Sequence, residues 1–122
     1  MKAVFDDSKP IFLQIADMIL EDILDGTLQE EEQIPSTTEI SSFYQVNRAT
    51  IQKGLAILVE AGYVYKQRGV GMFVATGANE KLQEQRKTEF DKMFIKPMIE
   101  EARRLELNKD DIWKLIMEGY DD

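Results

Sequence analysis

Apolar residues recur at helical spacing in three segments of the first half of the chain. In the first segment, Pro10 suits the first position of a helix and Gly26 suits its C-terminal cap. The second segment begins at Ser36, which can form a capping box with Glu39, and the third begins with Asn47 as its cap. The pattern predicts three amphipathic helices with inward positions at Ile11, Ile15, Met18, Ile19, Ile23, Ile40, Phe43, Tyr44, Ile51, Leu55, Leu58 and Val59.

The period of the pattern changes from helical to two after Gly62. YVYKQ at residues 63–67 alternates, RGVG at 68–71 indicates a turn, and MFVA at 72–75 resumes a strand. The paired glycines of the turn resemble part of a nucleotide-binding fingerprint, but no helix follows them and the third glycine is missing. The sequence therefore predicts a β-hairpin here and not a nucleotide site.

The other segments are predicted to be a loop, a linker and a helical tail. QEEEQ at residues 29–33 is expected to be a solvated loop whose glutamates make no structural contacts. TGAN at residues 76–79 is expected to be a linker, with helix resuming at Lys81. Pro97 should kink or divide that helix, and Asn108 can cap a last short one. Two parts are predicted, a domain at residues 1–76 and a tail at 77–122.

The absence of cysteine and histidine restricts the chemistry that this chain can perform. It excludes disulfides and cysteine nucleophiles, and it removes the commonest metal ligand and the usual general base. We therefore expect no metal, no cofactor and no enzymatic activity; a carboxylate-based hydrolase would require paired acids in a cleft. No apolar run approaches the roughly 20 residues of a membrane span, so a cytoplasmic protein is expected.

Charge is distributed unevenly along the chain. The formal net charge is −8, yet residues 41–75 carry four basic residues and one acidic residue, a net of +3. Both flanking segments are acidic. This asymmetry favours a polyanionic partner for the middle of the chain, because a uniformly acidic surface would repel one.

Three helices followed by a hairpin, with a tight turn between the second and third helices, describe a winged helix-turn-helix. Arg48 lies in the first turn of the third helix, where the helix dipole repels a cation by roughly 0.3–1 kcal/mol. Double-stranded DNA would supply a negative partner, since a recognition helix presents its N-terminal residues to base edges and arginine can donate two hydrogen bonds to guanine. Ser36 and Thr37 could hold a phosphate at the start of the second helix.

Four short motifs in this part of the chain resemble the GntR family of bacterial winged-helix regulators. Members typically show a Pro–aromatic–Gln–Ile opening, then Leu-Pro-Ser-x-Arg-Glu-Leu, Val-Ser-Arg-x-Thr-Val and Gly-x-Gly-Thr-Phe-Val. This chain has PIFLQI, IPSTTEI, VNRATI and GVGMFV in the same order within residues 8–75. The resemblance implies that Arg48 and Thr50 contact operator DNA and that Gly69 lets the wing approach the minor groove.

Two departures from the family pattern affect this expectation. Thr38 stands where the family usually has a DNA-contacting arginine, and Gln52 stands where another base-reading arginine often lies. Glu31 and Glu32 replace the usual Pro-Gly and add negative charge nearby. Weaker binding and a different target sequence are expected. The candidate DNA contacts, each of which could instead be a helix cap or a solvated side chain, are Ser36, Thr37, Thr38, Asn47, Arg48, Ala49, Thr50, Lys53, Lys66, Arg68 and Gly69.

The tail is too short to form a core of its own, and its apolar residues would be buried best against a second copy. A tail of this length resembles the YtrA branch of the family, which implies homodimers and operators near transporter genes. The alternative is that the tail folds back onto its own winged domain. The candidate dimer contacts are Phe90, Met93, Phe94, Ile99, Ala102, Leu105, Ile112, Trp113 and Ile116.

The sequence therefore predicts a mainly α protein with a small β-hairpin, in which a winged helix-turn-helix is followed by dimerisation helices. Its expected function is a homodimeric transcriptional regulator, most simply a repressor, on a palindromic operator. The rival function is a winged-helix module for protein contact that has lost DNA binding, which the missing arginines and the net acidity motivate. A small-molecule effector between the subunits stays open.

Overall fold

The architecture is mainly helical with one two-stranded antiparallel sheet, as the sequence predicts. A computed structural model describes residues 5–121. Two compact units are found, Met1–Gln83 and Glu84–Asp122. The elements in chain order are α1 (Ile11–Leu24), α2 (Thr37–Tyr44), α3 (Arg48–Glu60), β1 (Val64–Gln67), β2 (Gly71–Val74), α4 (Ala78–Phe90), a π-helical segment (Asp91–Ile95), α5 (Lys96–Arg104) and α6 (Lys109–Tyr120).

One hydrophobic core joins α1, α2 and α3 to the hairpin in the first unit. Most of the predicted inward residues are buried there, namely Ile15, Met18, Ile19, Ile23, Ile40, Ile51, Leu55 and Leu58. The prediction is wrong for Ile11, Phe43 and Val59, which are exposed. Phe43 is 72% exposed because the buried face of the short α2 is centred on Ile40. Its ring instead packs edge-on against Tyr44, with centroids 4.8 Å apart.

The closest helix contact in the core lies between α1 and α3 at Gly54. A Cβ atom at this glycine would stand 2.6 Å from the carbonyl oxygen of Phe12 and 3.2 Å from Cβ of Ile15. The backbone of α3 can approach α1 this closely only because the side chain is a hydrogen. Gly54 therefore sets the distance between the two helices.

The turn between α2 and α3 is tight and is held by side chains. Gln45 adopts a left-handed conformation at φ 57° and donates from Nε2 to the carbonyl of Ser42 at 2.7 Å. The Ser41 hydroxyl donates to the carbonyl of Val46 at 2.6 Å. The first bond satisfies a carbonyl group that the end of α2 would leave open, and the second ties the turn back to the helix.

The hairpin pairs in the register Val64 with Val74 and Gln67 with Gly71. We call β1, β2 and the turn at residues 68–70 the wing. A further segment, residues 31–34, runs along the other edge of β2. Its backbone hydrogen bonds include Glu31 N–H to the Val74 carbonyl at 2.8 Å and Ile34 N–H to the Met72 carbonyl at 2.9 Å.

The glutamates of QEEEQ are exposed, but the expectation that they make no structural contacts is wrong. The Glu30 carboxylate accepts from the backbone N–H of Gly77 at 2.8 Å, and that of Glu31 accepts from the Tyr65 hydroxyl at 2.9 Å. Glu32 accepts from the backbone N–H of Gln29 at 2.8 Å. The loop is thereby tied to the wing and to the start of α4.

Half of the segment expected to be a linker is helical, because α4 begins at Ala78 and not at Lys81. Ala78 and Leu82 are buried in the core of the first unit. Asn79 donates from Nδ2 to the carbonyl of Ile23 at 2.7 Å, and so gives a hydrogen-bond partner to a backbone carbonyl at the C-terminal end of α1. Lys81 donates to the carbonyl of Ala61, at the end of α3.

In the second unit the helix is interrupted before Pro97, as predicted. The π-helical segment ends at Ile95, and Pro97 lies in the first turn of α5, where its missing N–H is tolerated. Asn108 caps α6 and forms a capping box with Asp111. No helix within residues 5–121 is both long and apolar enough to cross a membrane.

Replacing Gly54 by alanine should destabilise the protein by about 1–3 kcal/mol, because the added methyl group clashes with the backbone of α1. Gly119→Ala in α6 is the matched control, since nothing lies within 4 Å of its added Cβ. The control should stabilise its helix by up to about 1 kcal/mol. Denaturant unfolding followed by circular dichroism measures both changes. A Gly54→Ala protein as stable as the wild type would contradict the close helix contact.

Candidate nucleic-acid interface

The first turns of α2 and α3 are fixed by side-chain caps. The Ser36 hydroxyl accepts from the backbone N–H of Glu39 at 3.0 Å, and the Glu39 carboxylate accepts from the backbone N–H of Ser36 at 3.0 Å. At the start of α3, Oδ1 of Asn47 accepts from the backbone N–H of Ala49 at 2.7 Å. Both predicted caps are confirmed, and each holds the residues that follow it in a defined position.

A groove of about 660 Å³ lies between the start of α2, the outer face of α3 and the wing. We call it the α2–α3–wing groove. It is lined by Gln33, Ile34, Pro35, Ser36, Thr37, Thr38, Arg48, Gln52, Leu55, Ala56, Val59, Glu60, Lys66, Gly71 and Met72. Five of the predicted DNA contacts meet here, namely Ser36, Thr37, Thr38, Arg48 and Lys66.

The charge of the groove comes from Arg48 and Lys66, with Glu60 as the single carboxylate in its lining. Arg48 is exposed at the first position of α3, and its Nη1 donates to the hydroxyl of Thr38. Within residues 5–121, Arg48 forms no ion pair. Its positive charge is therefore available to an anionic partner in the groove.

The remaining predicted contacts lie outside the groove lining. Lys53 is turned towards α1, with Nζ 4.0 Å from the ring centroid of Phe12. Arg68 and Gly69 are exposed in the turn of the wing, and Gly69 has the positive φ of 78° that favours glycine. At the start of α3, Asn47 and Ala49 are exposed and Thr50 is half-buried.

Several residues of the groove were not among the predicted contacts. Gln52 was named only as a departure from a base-reading arginine of the family. It follows Arg48 by four residues, and helical spacing places both on one side of α3. Gln33 could not have been identified from local pattern. It donates from Nε2 to the carbonyl of Val70 at 3.1 Å, and a Cβ on Gly71 would stand 2.4 Å from that nitrogen. Gln33 therefore positions the wing turn.

A family of known regulators accounts for the fold and for the linked motifs. Residues 12–74 match the model of the bacterial regulatory proteins of the gntR family. The HTH-type transcriptional regulator YhcF of Bacillus subtilis is 30% identical over 108 residues, which are 88% of this chain and 88% of that protein. The chain belongs to the GntR family. It is accordingly a transcriptional regulator and not an enzyme, as the sequence predicts.

Solved structures of GntR regulators agree with this assignment. A GntR-family regulator from Bacteroides thetaiotaomicron superposes with a TM-score of 0.76 at 33% identity, covering 91% of this chain and 96% of that one. The DNA-binding domain of AraR, solved in complex with operator ORX1, superposes with a TM-score of 0.57 at 29% identity and covers 62% of this chain and 96% of that one. Relatives named as repressors match about half of this chain, which spans only 18% to 27% of their lengths.

The capping box of this GntR protein should make its stability depend on pH. The hydrogen bonds that the Glu39 carboxylate accepts from Ser36 lower its pKa from the usual 4.5. A group with a depressed pKa in the folded state contributes stability above its unfolded pKa and loses it as pH falls through the folded pKa. We expect Glu39→Gln to destabilise the protein at pH 7, with the difference from wild type shrinking as pH falls below about 4.5.

Denaturant unfolding at a series of pH values measures this difference. Glu60→Gln is the control, because Glu60 lies in the last turn of α3, where the helix dipole disfavours a carboxylate. Neutralising it should not destabilise the protein at pH 7. A Glu39→Gln effect that stays constant between pH 7 and pH 3 would contradict the role of the charged carboxylate.

Proposed function

We propose that this GntR protein is a homodimeric repressor that binds a palindromic DNA operator through the α2–α3–wing groove. A regulator of this kind would act in the cytoplasm, where bacterial DNA is found. The observation that carries the proposal is the exposed guanidinium of Arg48 in that groove, which forms no ion pair with any residue in the range 5–121. A cation at a helix N-terminus is unfavourable by itself, so an external anion would stabilise it.

The surroundings of Arg48 suit a duplex. The capped start of α2 presents the hydroxyls of Ser36 and Thr37 beside it, and such groups commonly hold phosphate. Lys66 on β1 lies on the wing side of the same groove. Ala56 is small and permits close approach of the partner to α3. The AraR domain, a relative in fold, is bound to operator DNA in its solved complex.

The unit formed by residues 84–122 supports the dimer. It exposes large apolar side chains that usually mark a protein interface, including Phe94 at 59% and Trp113 at 62% exposed. The rings of Phe90 and Phe94 lie 5.6 Å apart and form part of this surface. Ala102 differs from the other candidate contacts because it is buried at 5%, in an apolar groove between α5 and α6.

A second copy is the occupant that suits these apolar residues. A two-fold interface buries the same side chains on both subunits, and two winged units would then require a palindromic site. The match to YhcF extends over 88% of this chain, so the tail is shared with a relative of similar length. Transporter genes are the target class that the short tail suggests.

A selection of bound fragments from random duplex DNA tests the proposal most directly. It would report the recognised sequence. The symmetry and half-site spacing of that sequence would show whether two subunits bind together. Repeating the binding at several salt concentrations adds a second readout, because each neutralised phosphate contributes about −0.9 to the slope of log K against log salt.

The second candidate function is protein contact through the winged unit. It is favoured by Phe43, which is 72% exposed on α2 beside the paired rings of Phe5 and Tyr44. Thr38 in place of the family arginine also favours it. This function predicts no selected sequence and no duplex binding that weakens as salt rises, whereas the repressor requires a selected sequence and binding that weakens with salt.

Arg48→Ala should weaken binding to the selected operator by about 1–3 kcal/mol if the arginine reads a guanine. Arg103→Ala is the matched control, because it removes an equal charge from an exposed position of α5 in the other unit. Titrations of labelled duplex with each protein measure the loss. An unchanged preference for the operator in Arg48→Ala would remove the assigned role of Arg48.

Phe94→Asp should convert the dimer to monomers, because it places a carboxylate in the apolar interface. Lys92→Asp is the control, since it introduces the same carboxylate at an exposed polar position two residues away. Sedimentation velocity over a range of protein concentrations distinguishes the two states. A Phe94→Asp protein that stays dimeric would exclude this part of the tail as the interface.

A further inference from the structure

The hydrogen bond between Arg48 and Thr38 joins two helices across the α2–α3–wing groove. Nη1 of Arg48, on the first residue of α3, donates to Oγ1 of Thr38, on the second residue of α2. Both side chains are exposed. Burial therefore does not force them together, and among residues 5–121 no carboxylate pairs with Arg48 to hold it elsewhere.

The backbone at both ends of this bond is fixed. Thr38 lies between Ser36 and Glu39, whose side chains cap α2 reciprocally at 3.0 Å. Arg48 directly follows Asn47, which caps α3. The helix-turn-helix thus fixes the two backbone positions that the hydrogen bond between Thr38 and Arg48 joins.

A hydroxyl oxygen is well suited to orient a guanidinium without changing its charge. Arginine has five N–H donors in a planar fork, so one can bond to Thr38 while others stay available for a base or a phosphate. A carboxylate at this position would neutralise Arg48, and a second arginine would repel it. Threonine leaves the full positive charge in the groove and restricts its direction.

We propose that Thr38 is a positioning residue that aims Arg48 at one base pair of the operator and so determines the preferred base there. The inference rests on the proposed operator binding through this groove. It gives the threonine a function that differs from the direct DNA contact expected of the arginine at this position in the family. Restricting Arg48 before binding also reduces the side-chain freedom that would be lost in the complex.

The test compares the full-length wild type with Thr38→Val and Thr38→Ser on the operator selected by the wild type and on duplexes changed at single base pairs. Valine keeps the shape of threonine but removes the acceptor, whereas serine keeps the hydroxyl. Thr38→Val should lower the preference at the base pair read by Arg48 by about tenfold. Its salt slope should stay unchanged, because no charge is altered. Thr38→Ser should retain the wild-type preference.

The same measurements in an Arg48→Ala background separate positioning from direct contact. If Thr38 acts through Arg48, adding Thr38→Val to Arg48→Ala should cause no further loss. An equal loss in both backgrounds would show that Thr38 contacts DNA by itself and would overturn the inference. Thermal unfolding of each variant checks that the fold is intact.

Failure of the inference and failure of the proposed function give different results. If the wild type selects no sequence from random duplexes, both are overturned. If Arg48→Ala loses the preference while Thr38→Val keeps it, operator binding stands and the positioning role of Thr38 is refuted.

Discussion

The contact between α1 and α3 at Gly54 is the constraint on which the groove depends. Because a Cβ there would stand 2.6 Å from the Phe12 carbonyl oxygen, α3 lies against α1 at a distance that only glycine permits. The buried stripe of α3, from Ile51 to Leu58, then fixes the rotation of the helix about its axis. Arg48 and Gln52 are left on the side that faces the groove.

The two walls of the groove are coupled by one stretch of chain. Residues 31–34 pair with β2 of the wing, and the next residues lead directly through Pro35 into the Ser36 cap of α2. The wing and the start of α2 therefore cannot move independently without breaking backbone hydrogen bonds. The Tyr65 hydroxyl strengthens this coupling, and its hydrogen bond to Glu31 raises the pKa of Tyr65 above the usual 10.0. The acids that replace the family's Pro-Gly are thus structural, with Glu31 at a positive φ of 66°.

Sequence reasoning predicted the elements whose determinants are local and missed those set by distant contacts. The Ser36–Glu39 box, the Asn47 cap and the period-two hairpin depend on residues at most ten positions apart, and all three are present. The pairing of residues 31–34 with β2 joins positions about forty residues apart, and no periodicity in QEEEQ indicates it. The exposure of Phe43 and the turn of Lys53 towards Phe12 likewise follow from how α2 and α1 pack against α3. In the candidate site, the N-terminal ends of α2 and α3 were predictable from the sequence, whereas the contact of Gln33 with the wing was not.

The acidity of the whole molecule is compatible with a DNA-binding groove, because most acidic side chains lie away from the groove and those in the nearest loop accept hydrogen bonds within the protein. Residues 41–75 carry a net charge of +3 and the rest of the chain a net charge of −11. In the loop nearest to the wing, the carboxylates of Glu30, Glu31 and Glu32 accept hydrogen bonds. Glu60 remains in the groove, so the local excess of positive charge is small. A small excess gives weak binding to phosphates at any sequence, and discrimination must then come from where the few cations point. Arg48, held by the neutral hydroxyl of Thr38, meets that requirement, because the hydrogen bond orients the guanidinium without changing the charge of the groove.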